Sequence, residues 1–378
     1  MIHIRCVCGT RVPLFLVSMA ARRASAQEQQ IDRSEKARSN SLERPSLAAI
    51  EPCASVSLTS NSPPSDRLSP SVNEPRSDPA SFDPGMGPGG QGPISYRTSW
   101  FPSVPVRGQA GDWELVEQDL SLSHPLWADS WNTVMVTAAV RNRRIDTDAT
   151  LPDSHKEYPG ELWDVQVGAM YRALLDGDRM ISGGVSLESA SDHPFASLQE
   201  TYVNMNAMYR TPSGESNSWM FMLMYSPMGE IPFPFPGVSY SYNPSDQLHT
   251  DIGLPFMFSY KPSDRWKLEA SYMLINTIRV KATYKIADRV SVFVGYDSLN
   301  EAYKLRDRAN DDDRFFLYNQ RATIGLSLPV TKWLTAELDG GYAFRQYSLT
   351  GRQWDSTGTD RVDLEPGPFV SHSLSLRR

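Results

Sequence analysis

The sequence predicts an all-β protein, an antiparallel transmembrane β-barrel of about 12 to 16 strands, with about 14 as the best single value. Three patterns support this prediction. Long segments alternate apolar and polar residues with a period of two, most clearly over 334–345, which is typical of a β-strand. Charged residues occupy the polar face along its whole length. Tryptophans recur directly after short polar turns.

The alternation can be followed along the chain. Apolar residues share one face over 163–171, 203–209, 266–272, 278–284, 290–296, 322–328 and 334–344. The interleaved positions carry acidic and basic residues. Charges in the core of a sandwich would each cost several kcal/mol unless paired, whereas a wet interior tolerates them. The region 94–124 and the break at Pro255 leave the strand number open.

Four tryptophans follow short turns and open strands: Trp131, Trp219, Trp266 and Trp333. In a transmembrane barrel the apolar strand face meets lipid, the polar face lines the lumen, and aromatic residues lie at the two interfaces. The tryptophans therefore predict membrane-interface aromatics on the rim that carries the short turns.

Connections of two lengths separate the strands. Short ones are predicted at 128–130, 176–179, 212–218, 243–246, 262–265, 287–289 and 330–332. Longer ones are predicted at 144–160, 190–197, 227–236, 304–314 and 349–366, with brief breaks at 253–255 and 275–277. Their alternation is the one expected when one rim faces the periplasm and the other faces outward.

Five residues are predicted to be charges of the lumen: Arg279, Lys281, Glu337, Asp339 and Arg345. The charges on the predicted inner faces are roughly balanced in sign. A selective pore would show one dominant sign at its constriction. The balance leaves two alternatives open, a narrow ion-paired closed interior and an unselective pore.

The first 93 residues differ in composition from the rest. Arg5 and Arg11, the apolar run Val12–Ala20 and the small residues 24–26 predict an export signal over 1–26. A disordered leader or a misassigned start is the alternative. Residues 27–93 are rich in Ser, Pro and charge, which predicts a disordered linker ahead of a barrel over 94–378.

Composition excludes several classes of protein. The net charge of −7 gives no basic surface for nucleic acid. The three cysteines, Cys6, Cys8 and Cys53, all precede the predicted barrel, which argues against a disulfide scaffold or a thiolate metal site there. No catalytic residue, cofactor or metal ligand is predicted.

Two histidine pairs are the candidates for catalysis, Asp192-His193 and Ser154-His155, because both fall in predicted outward loops. A hydrolase would need the imidazole beside a nucleophile and oriented by a third group. Solvated loop histidines are the favoured interpretation. The chain lacks the Gly-x-Ser-x-Gly, His-Glu-x-x-His, P-loop and dinucleotide motifs.

Two loops have distinctive composition. The acidic loop with Asp307 and 310–313 is predicted to be solvated, and the alternative is a divalent ion that bridges it to anionic lipid sugars. The Pro- and Phe-rich segment 232–236 is predicted to cap the rim, and the alternative is a constriction inside the pore.

Three segments, Pro236–Ser245, Ile252–Pro255 and Tyr260–Trp266, resemble a family of uncharacterised bacterial domains catalogued as outer-membrane β-barrels. The resemblance covers about 95–378 and implies a location and an architecture, with no activity to carry over. One feature departs from outer-membrane barrels in general: the last position in phase with the outward residues is Arg378, not an aromatic residue.

The functional hypothesis is a non-enzymatic barrel in a bacterial outer membrane, either a passive channel for small solutes or a structural barrel with a closed lumen. Its expected partners are outer-membrane lipid and the barrel-assembly machinery. The alternatives are a secreted soluble β-sandwich and, less favoured, an outer-membrane hydrolase.

Overall fold

The computed structural model describes residues 93–229, 231–273, 277–352 and 358–376. The predicted export signal and all but the last residue of the predicted linker lie outside the described residues. The described residues form seventeen strands: β1 (Ile94–Pro105), β2 (Asp112–Ala128), β3 (Asn132–Thr147), β4 (Glu161–Leu175), β5 (Arg179–Ser191), β6 (Tyr202–Pro212), β7 (Ser218–Tyr225), β8 (Phe235–Ser245), β9 (Leu248–Gly253), β10 (Phe256–Ser263), β11 (Trp266–Met273), β12 (Thr277–Ala287), β13 (Val290–Tyr303), β14 (Arg314–Pro329), β15 (Leu334–Gly351), β16 (Thr359–Asp363) and β17 (Gly367–Leu376).

Sixteen of these strands close into one antiparallel barrel. Strands β1 to β15 each pair with their neighbours in sequence, and β17 pairs with both β15 and β1. Strand β16 pairs only with the end of β15, where Tyr347 faces Asp363. The all-β antiparallel class is therefore confirmed. No helix among the described residues is long and apolar enough to cross a membrane.

The best single value of 14 strands is wrong, although 16 lies within the expected range. The additional strands come from the two regions whose strand number the sequence did not determine. The 94–124 region forms β1 and most of β2, and the chain around Pro255 forms two short strands, β9 and β10, of 6 and 8 residues. A short strand shows too few alternating positions to be recognised from sequence alone.

Tight turns join the strands at one end of the barrel, as predicted. In the β2–β3 turn, the Asp129 carboxylate accepts hydrogen bonds from the backbone N–H groups of Trp131 and Asn132, both at 2.7 Å. These two hydrogen bonds lower the pKa of the Asp129 carboxyl. In the β4–β5 turn, three residues separate the paired Leu175 and Arg179, and two of them, Gly177 and Asp178, have positive φ, as tight hairpin loops require.

A contact across the ring identifies the inner face. Arg143 on β3 pairs with Glu301 on β13, which is not a neighbouring strand, so both side chains must point inward. The strand register then assigns every other position to the inner or the outer face. The predicted apolar faces lie outside and the charged faces lie inside.

The outer surface is apolar and exposed. Ile324 is 65% exposed and Leu338 is 57% exposed, and both belong to a belt of aliphatic side chains that continues around the barrel. A contiguous apolar surface of this extent on a soluble monomer would cause association. The outer face is therefore built for an apolar environment.

The barrel is pinched at the end that carries the long loops. Strands β5 and β13 are eight strands apart in either direction around the ring. Nevertheless, the backbone N–H of Lys304, just after β13, donates to the Ala190 carbonyl on β5 at 2.9 Å. A parallel bridge joins Ser191 to Lys304. The interior at this end is thereby divided in two.

We name the two divisions by their inner faces. The core lobe is enclosed by β13 to β15, β17 and β1 to β5. The methionine lobe is enclosed by the consecutive strands β5 to β13. The main hydrophobic cluster of the described residues fills the core lobe at the long-loop end.

Candidate functional site

Aromatic side chains fill the core lobe at the long-loop end. Phe101 on β1 and Phe369 on β17 stack with ring centroids 5.2 Å apart. Phe315 on β14 is fully buried and meets Tyr158, from the β3–β4 loop, edge to face at 5.4 Å. Burial raises the pKa of the Tyr158 phenol to about 12. This part of the interior is a packed protein core and leaves no open pore.

A layer of ion pairs lies directly beneath this core. Arg143, whose side chain is only 4% exposed, donates two hydrogen bonds to Glu301, at 2.7 and 3.0 Å, and one to Asp119 at 2.8 Å. Arg321 on β14 donates two hydrogen bonds to Glu117 on β2, at 3.1 and 3.2 Å. Both bidentate pairs join strands that are not neighbours, so they bridge the interior.

The ion-pair layer, which we define as Glu117, Asp119, Arg143, Glu301 and Arg321, is continuous with the core. The Arg321 guanidinium carbon lies 5.2 Å from the Phe101 ring centroid and 5.6 Å from that of Phe369. A guanidinium over an aromatic face is stabilised by the ring quadrupole. The layer and the core therefore form a single plug across the core lobe.

A small cavity of about 30 Å³ lies within this plug. Trp113, Glu117, Arg143, Arg321 and Gln346 are among the residues that line it. A space of this size holds a water molecule and excludes a solute. Arg321 Nε and Gln346 Oε1 are buried and have no hydrogen-bond partner among the described residues.

Nearer the short-turn rim the charged side chains are also paired, and apart from the buried Asp339 those named here are partly solvated. Arg97 on β1 donates to Asp339 on β15 at 2.7 Å. Lys281 on β12 lies 3.4 Å from Glu337 on β15, although two strands separate them. These pairs give the interior a balanced charge with few free ions.

The predicted lumen charges can now be placed. Arg279, Lys281, Glu337 and Asp339 lie on the inner face of the barrel, and Arg279 lies 3.7 Å from Asp297. Arg345 departs from this pattern, because it is exposed and has φ of 51° in a bulge of β15 between Phe344 and Tyr347. The bulge interrupts the alternation that predicted an inward position for Arg345.

The four predicted interface tryptophans lie on the outer surface beside the short turns, and all are exposed. Trp219 packs against Tyr240, and Trp266 packs against Tyr284, each with centroids 4.8 Å apart. A second aromatic row lies toward the other rim and includes Trp100 and Tyr342.

Loops cover the long-loop end. Arg314 at the start of β14 donates to the carbonyl of Gly229 at 2.7 Å, which ties the β7–β8 loop across the pinch. Arg308 and Glu200, both with buried side chains, lie 3.8 Å apart and join two further loops. Burial together with nearby Arg308 and Arg314 lowers the pKa of Lys304.

The loop histidines do not form a catalytic arrangement. The Ser191 hydroxyl donates to Asp192 at 3.1 Å, whereas the His193 ring is exposed and lies 3.5 Å from the other oxygen of Asp192. A triad needs the hydroxyl on the imidazole and the carboxylate behind it. His155 is exposed and has φ of 57°.

The acidic loop is held by basic side chains. Lys156 lies 3.2 Å from Asp307, and Arg308 lies 3.3 Å from Asp311. Among the described residues no group of His, Cys, Asp and Glu is arranged to hold a metal ion. Phe233, in the Pro- and Phe-rich segment, is 60% exposed and does not constrict the interior.

Sequence reasoning missed the ion-pair layer as a unit. The alternation places each of its members on a polar face, which is the available signal. It does not show which strands face each other across the barrel, because that depends on how far the ring is flattened.

No protein family and no curated protein matches the chain. An outer-membrane channel from Pseudomonas putida F1 matches 75% of this chain and 93% of its own, at 12% identity and a TM-score of 0.32. The P. putida toluene transporter TodX matches 75% and 88%, at 8% identity and 0.33. The β domain of the Bordetella autotransporter BrkA matches 75% and 99%, at 11% identity and 0.27. The barrel itself follows from the strand pairing, which closes through β15, β17 and β1.

Proposed function

We propose that this chain is a bacterial outer-membrane β-barrel protein, whose barrel strands cross the bilayer. The exposed apolar belt and its two aromatic rows support this. Trp333, directly before β15, and Tyr342 on β15 are nine residues apart, which is about 30 Å along a strand and about 22 Å along the axis of a typically tilted barrel. That height is close to the apolar band of about 25 Å in known outer-membrane barrels.

The membrane assignment is tested by cell fractionation and by electrophoresis of unheated and boiled samples. We expect the protein in the outer-membrane fraction and a faster mobility before heating, because a closed barrel resists dodecyl sulfate. Recovery in the soluble fraction without detergent, with one mobility under both conditions, would favour a soluble sandwich and overturn the assignment.

We further propose that the barrel is closed, non-enzymatic and structural, rather than a permanently open channel. The single observation that carries this is the bidentate Arg143–Glu301 pair across the interior, with the aromatic core directly beyond it. A solute that passed through the core lobe would have to break these pairs and leave buried charges without partners, which costs about 3 to 5 kcal/mol for each broken pair.

Conductance of the purified protein in a planar bilayer tests the closed interior. We expect the wild-type barrel to be silent. Arg143→Glu should produce channel events, because it places a fourth carboxylate beside Glu117, Asp119 and Glu301.

Arg141→Glu is the matched control, since it lies on the same face of the same strand but is 48% exposed and pairs only with Asp164 in the ion pairs of the described residues. This variant should stay silent. Steady wild-type conductance would overturn the closed barrel. Silence of Arg143→Glu would show that the aromatic core closes the interior without the ion-pair layer.

A further inference from the structure

The inner wall of the methionine lobe is lined by thioethers. Met208 on β6 and Met220, Met222 and Met224 on β7 all point inward, as the register requires. Met208, Met220 and Met222 are buried. Met205 lies on β6 as well, but it points outward and is 53% exposed.

Methionine occurs elsewhere on the inner face, since Met135 on β3 faces Met170 on β4. That pair is only half-buried, whereas Met208, Met220 and Met222 are buried. The inner faces of β6 and β7 carry no leucine, isoleucine or valine, whereas their outer faces carry Val203 and Leu223. The hydrophobic cluster of the core lobe consists mostly of Phe, Leu, Val, Ala, Trp and Tyr, and it includes Met228. The β6–β7 wall therefore brings three buried thioethers side by side, and a thioether is a ligand for soft metal ions.

The register brings three sulfur atoms within reach of one point. Met208 faces Met222 directly across the β6–β7 pair, so their Cβ atoms are about 5 Å apart. Met220 is the next inward residue along β7, at about 7 Å. Each side chain has three rotatable bonds, so the three sulfurs can converge on a shared ion.

The neighbouring groups define the floor and one side of this cluster. A Cβ at Gly237 on β8 would lie 2.6 Å from Met222 Cγ and 2.9 Å from its Sδ. The Met222 thioether therefore packs directly against the backbone of Gly237. Arg210, which faces Met220, directs its Nε to the Ser218 hydroxyl at 2.8 Å. Its charge is thus drawn toward the short-turn rim, away from Met208 and Met222.

We propose that Met208, Met220 and Met222 form a binding site for a soft monovalent cation, Cu(I) or Ag(I). Neutral thioethers are poor ligands for Mg²⁺, Ca²⁺ and other hard cations, which prefer oxygen, and they select Cu(I). No metal ligand is predicted from the sequence, where thiolates and the acidic loop are considered and thioethers are not. It does not depend on whether the barrel conducts.

Silver ion is the probe, because it needs no reductant. All proteins tested are full-length chains in detergent with Cys6→Ser, Cys8→Ser and Cys53→Ser, since thiolates would otherwise compete. Titration calorimetry of this parent should show one Ag⁺ per chain. The Met208→Leu/Met222→Leu variant should bind at least tenfold more weakly, and X-ray absorption of the parent complex should show sulfur neighbours.

Met205→Leu is the control, because it removes an outward thioether from the same strand, and it should bind as the parent does. Leucine keeps the volume of methionine, and the heat-dependent mobility shift shows that each variant is folded. A parent that binds no Ag⁺ would overturn the site, and so would equal binding by Met208→Leu/Met222→Leu. Either result would leave the methionines as packing residues of an adaptable wall.

Discussion

The two lobes of the barrel interior are lined by different kinds of side chain. The core lobe is filled with rigid aromatic and branched side chains above a layer of bidentate ion pairs. The methionine lobe has flexible thioethers, serines and glycines on its wall, and its charged groups are partly solvated. A close-packed core tolerates little change in volume, whereas methionine adapts to new shapes. The two proposals therefore concern opposite sides of one ring, with closure in the core lobe and ion binding in the methionine lobe.

The largest effect is expected when a core phenylalanine is removed. Phe315→Ala should destabilise the barrel by about 3 to 5 kcal/mol, because the side chain is fully buried and leaves a cavity. Phe221→Ala is the control from the methionine lobe, where Phe221 is exposed on the outer surface of β7. Urea unfolding in detergent micelles measures both. Equal losses would contradict the view that the core lobe carries more of the stability.

The ion-pair layer should show coupling between its members. Arg321→Met should cost about 3 kcal/mol, because it leaves the buried Glu117 carboxylate short of hydrogen bonds. Glu117→Leu with Arg321→Met should recover part of that loss, since neither charge is then left unpaired. A double-mutant cycle on urea midpoints measures the coupling, expected at about 1 to 3 kcal/mol. Additive losses would show that the pair contributes little beyond its individual contacts.

Sequence alone predicted the faces of the strands better than the interior they enclose. Alternation is local, so the inward position of Asp339 and the outward position of Ile324 follow from their own strands. Arg345 was misplaced because its positive φ at a bulge has no signal in a residue that is not glycine. The Arg143–Glu301 pair depends on the pinch between β5 and β13, which sequence periodicity does not encode.

The residues behind the membrane proposal could be recognised in the sequence, whereas those behind the proposed metal site could not. The tryptophan rows were visible as residues after turns. The methionine wall was visible only once the register showed Met208 opposite Met222. An apolar residue in an alternating strand is normally assigned to lipid, so inward methionines look like errors in the pattern. Residues that depart from the expected alternation of a strand, such as these inward methionines, are candidates for a functional role.

The smallest effect is expected from a methyl group added beneath the methionine wall. In Gly237→Ala, the new Cβ would lie 2.6 Å from both the Leu254 carbonyl oxygen and Met222 Cγ. The Met222 side chain can move, but the backbone oxygen cannot move as easily, so we expect a loss of about 1 to 2 kcal/mol. The nearest atom to a Cβ at Gly295, also on the inner face of this lobe, is the Val280 oxygen at 3.4 Å, and Gly295→Ala should be nearly neutral. If Gly237→Ala weakens Ag⁺ binding more than Gly295→Ala does, the position of the Met222 thioether matters to the site. If both bind as the parent does, Met222 has enough freedom to reach the ion from a displaced position, and the wall is adaptable even where it is buried.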